Sequence, residues 1–370
     1  MLVHSLKLHN FRLFEATDLE LGQGAVAIVG PNATGKTTIL EAIFAASAGR
    51  SPRTHRDADM VRWGASACAV EVGFQRSDGR ALPVRMAIEI QPTGLRKRIW
   101  VAGRPVRRVA ELLAAIPLVL FTPADLTLAQ GEPRIRRRFM NLALARLRPA
   151  YGDDLARYRR AVLQRNRLLR DHAPPRQVEP WTSRLVDSGA RVAVHRRWFA
   201  EAIAPLAADL HAHLSQGRER LAVHYAGDLA EAAAEFATAA EAYRELLADR
   251  HADERVQGRT LVGPHRDDLQ LLVDDRPVRA YGSQGQQRTA ALALKLAEAQ
   301  LLWQTHQEPP ILLLDDCLSE LDEQRARAVL DLTSRYEQLI VTSAAEDGTL
   351  LAAAAQVIRL GGHPAEAIGK

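Results

Sequence analysis

Apolar and polar positions alternate over much of the first third of the chain. Cys68 to Phe74 and Val84 to Ile90 alternate in this way, and Ser77-Asp78-Gly79-Arg80 between them supplies turn residues, so the stretch predicts a β-hairpin. Leu2 to Lys7, Ile99 to Val101 and Leu118 to Phe121 predict further strands. Ala25 to Val29 is continuously apolar, as a buried strand is, and Thr38 to Phe44 after it reads as a helix. From about Pro123 to Arg255 the period lengthens to that of helices. Leu185, Val192, Phe199, Ile203, Leu206, Leu210 and Leu214 predict one long amphipathic helix, and Ala230 to Leu247 a second, alanine-rich one. Ala173 to Pro180 and Arg250 to Arg259 read as linkers. After Thr260 the pattern returns to strands and helices. Thr289, Leu292, Leu296, Ala299 and Trp303 mark the buried face of a helix, and Ile311 to Leu314 and Leu339 to Val341 are apolar strands. Gly361 to Lys370 reads as frayed, and no internal repeat is visible. The chain therefore predicts an α/β protein with a parallel-sheet core and an antiparallel β subdomain. Residues 1–122 and 256–370 would form this discontinuous head, and residues 123–255 an inserted α-helical lever arm.

A chain of 370 residues is long enough for two cores. It has no run of 18 apolar residues and no secretory apolar segment near Met1. Its two cysteines, Cys68 and Cys317, lie far apart, which suits a reducing cytoplasm. The net charge of +5 is modest, but it is unevenly spread. Residues 134–170 hold twelve arginines against Asp153 and Asp154, whereas residues 298–348 hold eleven acids against three arginines. Arginine outnumbers lysine by 44 to 5, so only clustering is informative. Arg157, Arg160, Gln164 and Arg167 recur on one helical face, opposite Leu155, Tyr158, Val162 and Leu169. Such a face is either simply solvated or follows the phosphates of a nucleic acid. No aromatic residues are interleaved with it, so contacts to a duplex backbone suit it better than stacking on single strands.

Chemistry enters with Gly30-Pro31-Asn32-Ala33-Thr34-Gly35-Lys36-Thr37, a complete G-x-x-x-x-G-K-[ST] loop between the predicted strand and helix. Backbone N–H groups turned inward and the helix N-terminus make a cradle for a polyphosphate. Lys36 would reach the β- and γ-phosphates, the Thr37 hydroxyl would ligate Mg²⁺, and Thr38 adjoins them. Ile311-Leu312-Leu313-Leu314-Asp315-Asp316 is a buried strand delivering two carboxylates at its C-terminal end. Asp315 would hold Mg²⁺, directly or through water, and Asp316 would polarise the attacking water as general base. Taken alone, the two acids fit a solvated strand end equally well, and Ser283-Gln284-Gly285-Gln286 fits a helix cap. Three motifs in this order, each on the right element, argue against coincidence and point together to a nucleotide's phosphates with Mg²⁺. No base and orienting group flank Cys317, so it is not read as a nucleophile, and the twelve histidines lack the spacing of a zinc site.

Together the motifs resemble the head of an ATP-binding-cassette ATPase, with Ser283 to Gln286 as signature and Ser319-Glu320-Leu321-Asp322 as D-loop. Gly30 and Ser283 lie too far apart for a transporter head. The insert is too short for the coiled coils of SMC proteins, and Pro149, Pro174, Pro175, Pro180 and Pro205 would interrupt one. The chain resembles the RecF family of bacterial recombination ATPases. The resemblance rests on His9-Asn10-Phe11-Arg12, Leu40-Glu41-Ala42-Ile43, Phe121-Thr122-Pro123-Ala124-Asp125-Leu126 and Gly131-Glu132-Pro133 before Arg136-Arg137-Arg138-Phe139. It continues through Leu261-Val262-Gly263-Pro264-His265-Arg266-Asp267-Asp268, Ser283 to Ala297 and Leu314 to Asp322.

The resemblance implies a weak DNA-stimulated ATPase that closes as an ATP-dependent homodimer on DNA. It implies double-stranded and gapped DNA as ligands, RecR- and RecO-type mediators as partners, and RecA loading as the indirect result, in repair and replication restart near the bacterial nucleoid. Ser283, with Gln286, would contact the nucleotide held by the other subunit, and Arg12 would reach nucleotide phosphates. Asn32 would touch phosphate or the opposite D-loop. His265 would take part in chemistry or, as Gly263-Pro264 before it favours, in a structural or inter-subunit contact. Three positions depart from the family pattern: Ala33 for glycine, Thr38 for asparagine and Asn141 for aspartate. Alanine resists positive φ, so Ala33 would hold an ordinary conformation or be strained. Thr342 and Ser343 stand where a switch histidine is expected, which suits slow hydrolysis, and no Q-loop glutamine is unambiguous. Two other readings are a non-hydrolysing nucleotide-dependent DNA clamp and the head of another SMC- or ABC-type ATPase.

Overall fold

The runs without polar interruption become the central strands. Ile311–Asp315 and Gln338–Ser343 are buried at every residue, and Gly24–Val29 at its last four. They lie side by side and parallel, with Leu118–Phe121 beyond Ile311–Asp315 and Gln356–Leu360 beyond Gly24–Val29. The computed structural model describes residues 1–344, 348–361 and 367–369. Within the tail expected to fray, Ala367–Gly369 pairs antiparallel with Gln356–Leu360, and residues 362–366 and 370 lie outside the described residues.

The alternating stretches form a second, wholly antiparallel sheet. Its order is Phe14–Glu20, Leu2–Phe11, Ala67–Gln75, Ala81–Gln91, Gly94–Val101, Arg104–Pro105. Val70, Val72, Phe74, Val84, Met86 and Ile88 point to its buried face, as period-2 alternation requires. The helix Lys36–Ala48 packs against both sheets, and every residue of it except Thr37 is buried. Buried Gln338 ties the sheets together. Its amide donates to the carbonyls of Val3 (2.8 Å) and Gly22 (2.7 Å) and accepts from the Val3 N–H (2.7 Å).

The chain divides into two compact units. One comprises Met1–Leu126, His213–Ser215 and Lys295–Lys370, and the other Thr127–Ala212 and Gln216–Leu294. The second unit is mostly helical but differs from expectation in five places. Pro175–Ser215 is one helix of 41 residues that contains Pro180 and Pro205. Both prolines are exposed, so the carbonyls that lose an N–H partner can face water. The expected linker before this helix shrinks to a few residues, because the helix starts at Pro175. Leu221–Ala226, inside the stretch read as helical, is a strand paired antiparallel with Asp268–Val273. The alanine-rich helix begins only at Phe236, and the second expected linker contains the helix His251–Gln257.

Buried arginines organise this unit. Arg165 donates to Glu254, Thr260 and Thr182. Arg136 makes a fork of two 2.7 Å bonds to Asp268 and also reaches the carbonyls of Leu128 and Gly131. Arg196 bonds to Asp267 (2.7 Å), the Pro264 carbonyl, Asn141 (3.0 Å) and Tyr151 (3.2 Å). A neutral Asn141 fits there: its side-chain oxygen accepts from both Arg196 and the Tyr151 hydroxyl.

Candidate nucleotide site

The phosphate loop leaves Gly24–Val29 and enters Lys36–Ala48. Gly35 sits at φ 106°, and a Cβ there would overlap the Phe14 ring. Glycine is therefore required both by conformation and by the ring beneath it. Ala33 adopts φ 66°, the strained alternative of the two expected for it, at an exposed position. Lys36 is only 7% exposed and folds across the loop, donating to the carbonyls of Gly30 (2.7 Å) and Pro31 (2.8 Å). Burial pushes its pKa down, while Asp316 and Asp315 pull it back up. Thr34 donates to the Pro31 carbonyl (2.9 Å), Thr38 is buried, and Pro31 and Asn32 are exposed.

The fold brings Thr37 to Asp315. The Thr37 hydroxyl donates to Asp315 Oδ1 at 2.8 Å, and the Thr342 hydroxyl donates to the same oxygen at 2.8 Å. A hydroxyl and a carboxylate side by side form the hard-oxygen donor set that Mg²⁺ takes alongside phosphate and water. Thr342 thus has a local role: it positions the acid, and its hydroxyl also accepts from the Asp316 N–H (2.9 Å). Asp316 holds φ 49°, a rare conformation for a residue with a side chain. Its carboxylate accepts from Ser319 (3.1 Å) in the stretch expected as the D-loop. Cys317 is buried, with its thiol against the carbonyls of Asp315 and Phe121, and burial pushes its pKa well up, which suits an inert thiol.

Arg12 lies in the turn that leads to Phe14, but its guanidinium is already engaged. It donates to both oxygens of buried Glu41 and to the Asp59 carbonyl. Sequence reading missed Glu41 because its partners lie outside its own helix.

In the second unit, Ser283 opens the helix Gln284–His306 with a reciprocal cap. The Gln286 N–H donates to the Ser283 hydroxyl (3.2 Å), and the Gln286 side chain accepts from the Ser283 N–H (2.8 Å). Ser283 is exposed. His265 is held structurally: Nε2 donates to the Thr260 carbonyl (3.2 Å), so Nδ1 accepts from the Tyr158 hydroxyl (2.7 Å). Burial pushes its pKa down, keeping it neutral. Arg157, Arg160 and Arg167 all lie on the exposed face of Pro149–Arg170. Arg157 pairs with Asp154 (2.7 Å) and Arg167 approaches Asp171 (3.8 Å), both within the same stretch of chain.

Known proteins resemble this chain in sequence and in fold. The family model described as RecF/RecN/SMC N terminal domain matches residues 2–362. The DNA replication and repair protein RecF of Halalkalibacterium halodurans is 35% identical over 353 residues, covering 94% of each chain. The chain belongs to the RecF family. Its counterpart in Chloroflexus aggregans is 38% identical over 367 residues, 93% of each chain. A solved structure of the recombination mediator protein RecF with ATP, in the RecFOR pathway, superposes with a TM-score of 0.90 at 26% identity, covering 100% of this chain and 97% of that one. An Smc head bound to the C-winged helix domain of ScpA superposes at 0.57 and 17% identity, over 96% and 93% of the two chains, a likeness of fold alone. The fold is that of an ABC-type ATPase head carrying a helical insert.

Proposed function

We propose that this RecF-family protein is an ATP-dependent DNA-binding recombination mediator. The carrying observation is the meeting of Thr37 and Asp315 at 2.8 Å beside a Lys36 held in the phosphate loop. Residues 30–38 would cradle the phosphates of ATP, with Lys36 charging the β- and γ-phosphates. Thr37 and Asp315 would hold Mg²⁺, whose bound charge would offset that of the phosphates. Asp316 would accept a proton from the attacking water. Ser283 stands exposed at a helix N-terminus, where it would meet the nucleotide of a second copy. Its cap with Gln286 would loosen as that contact forms. Arg12 would have to leave Glu41 to reach phosphate, so we assign it to loop support while Glu41 holds it.

In this reading ATP closes a homodimer on double-stranded, gapped DNA and hydrolysis reopens it. RecR- and RecO-type mediators read the closed state and promote RecA loading. Thr342 offers a hydroxyl already spent on Asp315 and no imidazole, so turnover is slow. The test is ATP-dependent dimerisation by sedimentation, with and without gapped DNA. ATP should drive dimerisation and DNA should strengthen it. Ser283→Arg should bind ATP and remain monomeric, and Asp316→Asn should dimerise and stay closed. A wild-type protein that remains monomeric with ATP and DNA would sink the proposal.

A further inference from the structure

Trp63 is 98% exposed, in the turn that follows Val61. A tryptophan left in water forgoes one of the largest burial gains any side chain offers. Its loop is nonetheless well anchored. The Arg62 N–H donates to the Asn10 carbonyl (2.7 Å), Arg12 N–H to Met60 (2.9 Å), Ala65 N–H to Arg62 (3.0 Å) and Ile90 N–H to Ser66 (2.8 Å). Upstream, Ser51 and Arg53 both donate to Glu41, and Thr54 donates to Asp59. Glu41 lies on Lys36–Ala48, so the loop is braced on the helix that opens the nucleotide site. The indole is displayed on a rigid support, which reduces the entropy lost when something binds it.

The surroundings indicate what would cover it. Residues 50–66 carry Arg50, Arg53, His55, Arg56 and Arg62 against only Asp57 and Asp59. Asp57 is taken by Lys97 (2.5 Å), and Asp59 by Thr54 and, at 3.9 Å, Arg56. Arg56 is 83% exposed, and Arg62 reaches exposed Glu15 at 3.3 Å. The residues after the indole are Gly64, Ala65 and Ser66, which supply no bulky apolar rim for a protein partner. A rigid aromatic among arginines instead offers a π-face to a base and cations to its phosphates. Inside a duplex both faces of each base are covered by neighbours. A free face exists only at a gap, a strand end or an unpaired stretch.

We propose that Trp63 stacks on an unpaired DNA base at a gap or strand end, with Arg56 and Arg62 of the same loop to meet the flanking phosphates. The inference rests on the DNA binding proposed above. It is tested by titrating labelled gapped duplex, and fully paired duplex of equal length, with wild type, Trp63→Ala and Trp63→Phe at several salt concentrations. Trp63→Ala should weaken binding to gapped DNA by about tenfold or more. It should leave paired-duplex affinity and ATP affinity unchanged. The salt slope should also stay the same, because stacking releases no counterions. Trp63→Phe should recover most of the loss. Unchanged gapped-DNA affinity in Trp63→Ala overturns the proposal and leaves a protein partner as the occupant. An equal loss on paired duplex overturns it too, since that marks a wedge or a general backbone contact. If wild type binds neither DNA, the broader function fails along with this inference, and the wild-type titration alone distinguishes that case.

Discussion

Lys36 and the arginines of Pro149–Arg170 are both candidates for holding phosphate, and their surroundings differ sharply. Lys36 is nearly buried, bridges two carbonyls of its own loop and lies near Asp315 and Asp316. Arg157, Arg160 and Arg167 stand in solvent, and the ion pairs of Arg157 and Arg167 are to neighbours on the same stretch. A buried cation has one geometry and one set of partners, so losing it is felt in full. An exposed cation is screened and replaceable, and its effect is graded. The same contrast runs inside the second unit, where Arg165 shares a helix with Arg157 yet is sealed against Glu254.

The largest expected effect tests the buried side of the comparison. Lys36→Ala should abolish tight ATP binding, because the point charge on the β/γ-phosphates disappears. The far-UV circular dichroism should remain that of the wild type. Calorimetry showing an unaltered ATP affinity would remove the phosphate loop from the account.

Next comes Arg196→Ala, which leaves Asp267 buried without its cation, while Asp267 Oδ1 already lacks a hydrogen-bond partner. Breaking a buried pair in this way should destabilise the protein by about 3–5 kcal/mol. Arg157→Ala, at the exposed end of the comparison, should cost no more than about 1 kcal/mol. Denaturant midpoints compare the two, and equal small shifts would erase the distinction between buried and exposed arginines.

A smaller, graded effect is expected when Arg157, Arg160 and Arg167 are all changed to Glu. If they follow DNA phosphates, the slope of log affinity against log salt should flatten by about 0.9 per lost contact, nearly three units in all. ATP affinity should not move. A slope matching the wild type would mean that these residues only solvate their helix, and the DNA path would have to lie elsewhere.

These contrasts also explain what the sequence could reveal. The phosphate loop, the strand ending in Asp315-Asp316 and the hairpin around Ser77 to Arg80 were legible because each is specified by neighbours in sequence. The ion pairs of Arg136, Arg165 and Arg196 join residues far apart in the chain, and no local period announces them. Leu221–Ala226 was missed for the same reason, since its partner Asp268–Val273 lies beyond two intervening helices. The long helix through Pro180 and Pro205 shows a limit of proline as a breaker when the freed carbonyls can face water. At the candidate site, Thr37, Asp315 and Asp316 could be named from motif, whereas Glu41 holding Arg12 and Thr342 positioning Asp315 emerged only from the fold.

Thr37 and Asp315 meet at 2.8 Å beside the phosphate loop, where they would form one Mg²⁺–nucleotide site. Titrating ATP by calorimetry into wild type and Asp315→Asn, each with Mg²⁺ and with the metal chelated, tests it most directly. Wild type should bind ATP more tightly with Mg²⁺, and Asp315→Asn should lose most of that gain although the nucleotide still binds. Equal Mg²⁺ dependence in the two proteins, or none in wild type, would contradict it.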